Sequence, residues 1–141
     1  MYQQITIVGY LGNDPEMRFM PNGQAVTSFS VATSNKYTSN TGQRVDETTW
    51  FRVSVWGAQA ESCNQYLKKG RPVLVIGRLR PDPQTGNPRI FNRQDGTPAA
   101  SFEITAQQVK FLPFGSRGAG GGEDDFGDMH GSPETDDEIP F

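Results

Sequence analysis

Through most of the first 112 residues, apolar side chains recur at alternate positions between turn signals, the pattern of half-buried strands. Ile5, Ile7 and Leu11 mark a first strand, with Gly9 and Gly12 where it must bend or end. Pro21-Asn22-Gly23 predicts a turn, and a second strand follows from about Ala25 to Thr33, with Thr27, Phe29 and Val31 facing opposite to Ser28 and Ser30. Residues 35–47 are polar and turn-rich, which predicts a loop or a long hairpin tip. A third strand is expected over Glu47–Gly57 and a fourth over Arg71–Arg80, centred on Val73-Leu74-Val75-Ile76. A loop rich in proline and glycine, 81–99, precedes a fifth strand from about Ala100 to Leu112.

One segment changes period. From Ala58 to Lys69, the positions Ala60, Cys63, Tyr66 and Leu67 form a helical stripe, with Lys68 and Lys69 at the negative end of the dipole and Gly70 as the stop. Three strands, a helix and two strands are the order of a five-stranded OB-fold barrel, so the expected class is all-β with one helix.

Charge divides the chain in two. Residues 1–114 carry twelve Lys/Arg against eight Asp/Glu, a net +4; residues 115–141 carry one against eight, a net −7. A basic body with an acidic end points to a polyanionic ligand and a basic partner. Residues 115–135 hold seven glycines and almost no apolar side chains, so 113–135 is expected to be a disordered acidic linker. Cys63 and His130 are the only residues of their kinds, which leaves no disulfide, Cys/His metal site or Cys–His nucleophile pair to build within one chain. The body acids show no paired-carboxylate pattern, which argues against a nuclease. No catalytic residue, metal or cofactor is expected. Neither a leader nor an apolar run long enough for a bilayer is evident, so an intracellular, reducing compartment and no membrane partner are expected.

The third strand carries the candidate chemistry. Alternation places Phe51, Val53 and Val55 on one face and Trp50, Arg52, Ser54 and Trp56 on the other. Two indoles around a guanidinium suit single-stranded nucleic acid, whose bases stack on rings while phosphates meet cations. Tyr37 and Lys36 add to this from the adjacent loop. Arg78 and Arg80 share a face of the fourth strand and extend the positive groove, ahead of the lysines at the helix end. None of these side chains forms a base-edge reading motif, so low sequence specificity is expected. A single-stranded RNA chaperone, or an adaptor whose aromatic face binds protein, are the alternatives.

Six segments together resemble the bacterial single-stranded DNA-binding protein family. They are Val8-Gly9-Tyr10-Leu11-Gly12-Asn13-Asp14-Pro15-Glu16, Arg18-Phe19-Met20-Pro21-Asn22-Gly23, Thr49-Trp50-Phe51-Arg52-Val53, Trp56-Gly57, Tyr66-Leu67-Lys68-Lys69-Gly70 and Gly77-Arg78-Leu79-Arg80. The resemblance covers 1–112 as the DNA-binding domain and returns at 136–141. It implies an OB-fold, a homotetramer and a bacterial, cytoplasmic, nucleoid-associated protein of DNA replication, recombination, repair and the SOS response. It also implies base stacking by Trp50, Trp56 and Tyr37, and backbone contacts from Arg18, Arg52, Lys69 and Arg80. Two departures stand out: Pro81-Asp82-Pro83-Gln84 where the family commonly has basic residues and another tryptophan, and Ala58 where a lysine is frequent. Phe91 is the candidate for the missing ring.

The final residues, Asp136-Asp137-Glu138-Ile139-Pro140-Phe141, run three acids into an apolar end. Pro140 biases Ile139 toward an extended conformation, and Phe141 offers a ring with a carboxylate, which suits a pocket with an apolar floor and a cation at its lip. This tip is expected to dock replication, recombination and repair proteins, as the family's acidic tip does.

Overall fold

Phe29 and Val31 on one strand and Val53 and Val55 on the next are all buried, and they fix which side of the sheet is inside. The structure is a computed structural model that describes residues 1–113. Its strands are β1 (Ile5–Leu11), β2 (Glu16–Phe19), β3 (Ala25–Thr38), β4 (Arg44–Trp56), β5 (Pro72–Leu79), β6 (Arg89–Asn92) and β7 (Pro98–Phe111), with one helix, α1 (Ala58–Tyr66), between β4 and β5. The order β1-β5-β7-β4-β3 closes on itself where Tyr10 and Leu11 of β1 pair with Ala32 and Val31 of β3. This is the five-stranded OB-fold barrel, with β2 and β6 added outside it. Among the described residues, only β4 and β7 run parallel.

Closure depends on a close approach at Gly9. This residue pairs with Val73 of β5, one position before β1 begins to pair with β3. A β-carbon there would lie 2.1 Å from the Ala32 carbonyl oxygen. Only glycine lets β1 curl between its two neighbours at that point.

The barrel interior is filled by Ile7, Leu11, Phe29, Val31, Val53, Val55, Val73, Val75 and Ile104, with Cys63 and Leu67 entering from the helical segment. Thr27, also buried, donates from Oγ1 to the Ala60 carbonyl at 2.6 Å and pins the helix to β3. The Gln59 side chain accepts from Val109 N and donates to the Gln107 carbonyl, where the β5–β7 register shifts.

Four local features differ from the sequence-based expectations. The helix ends at Tyr66, three residues before Lys69, because Leu67 becomes extended (φ −88°, ψ 147°) and turns its side chain into the core. Lys68 and Lys69 therefore lie beyond the helix, and Gly70 (φ 87°) belongs to the turn that closes from Arg71 N to the Lys68 carbonyl. Tyr66 leaves the buried stripe and sets its exposed ring 5.8 Å from Phe111. Of the two forms expected of 35–47 the long hairpin tip is present, but its unbroken pairing, from Val26 opposite Trp56 to Thr38 opposite Arg44, carries both strands past the expected bounds at Thr33 and Glu47. β2 and β6 are two short strands beyond the expected five. The linker 113–135, save its first residue, and the tip Asp136–Phe141 lie outside the described residues.

Candidate nucleic-acid interface

With Val53 and Val55 inside, alternation turns Trp50, Arg52, Ser54 and Trp56 outward. Strand pairing then extends this face sideways, because paired residues share a side of the sheet. Trp50 is opposite Ala32, which in turn is opposite Tyr10, so a small residue lies between two rings. Arg52 is opposite Ser30, Ser54 is opposite Ser28, and Ser28 is opposite Glu16. Trp56 is opposite Val26, which is opposite Arg18.

On the other flank β7 continues the face. Arg52 pairs with Glu103, and Ser54 with Thr105, which pairs in turn with Arg78 of β5. Arg80 follows directly, its N–H donating to the Glu103 carbonyl at 2.8 Å. The result is one outward wall across β2, β3, β4, β7 and β5. It brings together Arg18, Trp56, Arg52, Trp50, Arg78 and Arg80, and all four arginines are exposed.

The two indoles sit differently. Trp50 is 53% exposed and rests on Gly12, where a β-carbon would come within 2.3 Å of its Cζ3. The end of β1 thus supports part of the ring and leaves the rest bare. Trp56 is half-buried over Val26. About 20 Å of strand separates them, with Arg52 between. Lys69 is tied to the Trp50 end of the barrel. Its N–H donates to Asp14 Oδ1 at 2.9 Å, while Gly70 N donates to the Leu11 carbonyl.

Tyr37 is not on this wall. It pairs with Val45 and falls on the side of the ribbon that carries Val31 and Phe51, whereas Lys36, opposite Asp46, falls on the side of Trp50. The Tyr37 hydroxyl donates to Glu47 Oε1 at 3.0 Å, and that hydrogen bond, with the nearby carboxylate charge, raises the Tyr37 pKa. Phe91 lies on β6 opposite Ala99, and alternation along β7 puts Ala99, Ser101 and Glu103 on one side. Phe91 (44% exposed) and Arg89 therefore share the side of Arg52 and Arg80.

Three residues of the site are absent from the sequence-based expectation. Tyr10 is outward because it alternates with the buried positions of β1. Gly12 could be assigned a role as Trp50's seat only after the barrel closed. Glu103, a carboxylate between two arginine positions, arrives through the parallel pairing of β4 with β7. Among the described residues no cluster of His, Cys, Asp or Glu could hold a metal ion, and no helix is long and apolar enough to cross a membrane.

Comparison with known proteins bears on the family and the fold. The Single-strand binding protein family matches residues 2–112. The chain is 38% identical over 118 residues to the single-stranded DNA-binding proteins of Neisseria meningitidis serogroups A and B, covering 84% of this chain and 64% of each relative. It thus spans less than two thirds of the length of those relatives. It is 36% identical over 122 residues to single-stranded DNA-binding protein 1 of Chlorobaculum tepidum, covering 86% of this chain and 70% of the relative. Among solved structures it is similar to the Plasmodium falciparum SSB in complex with ssDNA, with a TM-score of 0.66 and 26% identity over 80% of this chain and 97% of that one.

Proposed function

The chain belongs to the single-strand binding protein family, and from that premise we propose that it binds and covers single-stranded DNA with little sequence specificity. The observation that carries this reading is the outward pair Trp50 and Trp56 on either side of Arg52, on a wall that also holds Arg18, Arg78 and Arg80. Bases stack on the two indoles, each contributing about 1–3 kcal/mol. Stacking tolerates any base, since every base has a flat face. The arginines neutralise phosphates and release counterions, so affinity falls as salt rises. Phe91 and Arg89 prolong the path along the β6–β7 hairpin, and Tyr37 serves a strand that crosses to the other side of the β3–β4 arm.

The role is binding, without catalysis. Covered in this way, a single strand cannot reanneal. The tip Asp136–Phe141 brings replication, recombination and repair proteins to it. Assembly into a homotetramer is part of the same reading. Its support is the half-buried apolar row that Val8 of β1 and Leu74 and Ile76 of β5 present on the outside of the barrel, away from the tryptophans.

The test is a titration of the full chain with oligothymidylates, followed by tryptophan emission across a salt series. Quenching that saturates, and weakens with added salt, is the expected result. Emission left untouched by unpaired DNA would overturn the reading.

A further inference from the structure

Beside the start of β1 lies a cavity of about 350 Å³, lined by Met1, Tyr2, Gln3, Arg78 and Gln107. Strand pairing joins it to the wall. Ser54 is opposite Thr105, Thr105 is opposite Arg78, and paired residues share a side of the sheet. Ile5 pairs with Gly77, so the residues just before β1 run alongside Arg78. On β1 the core takes Ile7 and leaves Thr6 exposed on the outer side. The Tyr2 hydroxyl donates to Gln4 Oε1, and Gln4 Nε2 donates to Thr6 Oγ1 at 3.4 Å, which lines up the three side chains on that outer side. The Tyr2 ring is 85% exposed, a flat surface that the barrel core does not use.

Gln107 reaches the cavity through an irregularity in the sheet. Gly77 pairs with Ala106 but Ile76 with Gln108, so Gln107 is an extra residue in β7. Such bulges re-aim a side chain and recur beside functional sites. Its carbonyl accepts from Gln59 Nε2 at 3.3 Å, which fixes the bulge to the helix. Among the described residues no carboxylate lines the cavity, so an anion drawn to Arg78 meets no repulsion there.

A guanidinium, a bare phenol ring and a carboxamide match the three parts of a nucleotide. Guanidinium binds phosphate, the ring takes a base face, and a carboxamide both donates to and accepts from a base edge. Clefts for small molecules run to about 300–1,000 Å³, so this space suits one such unit. We propose that the cavity is an end subsite of the wall and takes one nucleotide of the bound strand, with its base against Tyr2, the base edge on Gln107 and a phosphate on Arg78. The proposal rests on the single-stranded DNA reading and deepens it by marking where the strand leaves the wall. The carboxamide can turn either its donor or its acceptor to the base, so the subsite tolerates any sequence.

The experiment uses the full chain and an oligothymidylate in which 5-iododeoxyuridine replaces the thymidines. Irradiated complexes are digested, and the residues that carry DNA adducts are identified by mass spectrometry. Adducts are expected on Tyr2 as well as on the tryptophans of the wall. Tyr2→Ala is expected to weaken oligothymidylate binding about fivefold, the low end of what one stacked base contributes, and Tyr2→Phe, which keeps the ring, to restore it. Adducts on Trp50 or Trp56 with none on Tyr2, or a Tyr2→Ala variant of unchanged affinity, would overturn the proposal. So would a Tyr2→Ala variant whose sedimentation without DNA shifts, since the cavity would then belong to a contact between copies. A natural chain that neither binds the strand nor forms any adduct would overturn the reading of the wall itself, and this proposal with it.

Discussion

The Trp50 ring lies across Gly12 so closely that a β-carbon on the glycine would sit 2.3 Å from Cζ3. The end of β1 is therefore the seat of an exposed indole on β4. Gly12→Ala is expected to tilt the ring off its seat and weaken binding of oligothymidylate about fivefold, within what one stacked base contributes. A shifted tryptophan emission maximum with a nearly unchanged melting temperature would identify the cause as local. Unaltered emission and affinity would show that the seat does not position the ring.

Trp50 and Trp56 separate binding from stability. Trp50 is largely bare, so Trp50→Ala is expected to cost affinity, about 1–3 kcal/mol, and little stability. Trp56 also covers Val26, so Trp56→Ala is expected to lower both, with a stability loss of about 1–2 kcal/mol, well short of a fully buried aromatic. Urea denaturation beside DNA titration of the two variants reads both effects.

Arg52 has a signature in salt. Its removal as Arg52→Ala is expected to reduce the slope of log affinity against log salt by about 0.7, the share of one phosphate contact on a single strand. An affinity loss with the slope intact would place Arg52 against a base instead.

Cys63 is wholly buried, and loss of hydration pushes its thiol up to about 11 from an ordinary value of 9.0. The protonated form is favoured in the fold. The stability this adds is complete below the unfolded thiol's pKa and is lost as pH rises toward the folded value. At pH 8 a disulfide reagent is expected to label the folded chain far more slowly than the chain in urea. Equal rates in the two states would mean that the helix does not shield the thiol.

Much of this arrangement was legible before any coordinates, for a physical reason that also explains the omissions. Where one side of a strand is buried, as at Phe29, Val31, Val53 and Val55, the two-residue period is visible and so is the outward set Trp50, Arg52 and Trp56. The arm from Ser34 to Thr38, and all of β6, are exposed on both sides, so no period marks them as strands. Without that count along the arm, Tyr37 could not be assigned to the side of the ribbon away from Trp50. The helix end was hidden because Tyr66 and Leu67 continue the stripe, although Leu67 reaches the core only by leaving the helix. Glu103 could not be placed beside Arg52, since their adjacency comes from strands 51 residues apart in the chain.

The unbroken β3–β4 ladder also bears on how the chain folds. Its innermost pair, Thr38 and Arg44, is six residues apart, whereas Ile5 and Gly77, which help to seal the barrel, are separated by 72. Short loops close at lower entropic cost than long ones. The hairpin bearing both indoles is thus expected to be native-like in the folding transition state, with the β1–β5 seam closing afterwards. In kinetic terms, Val53→Ala would slow refolding, while Ile7→Val would chiefly speed unfolding.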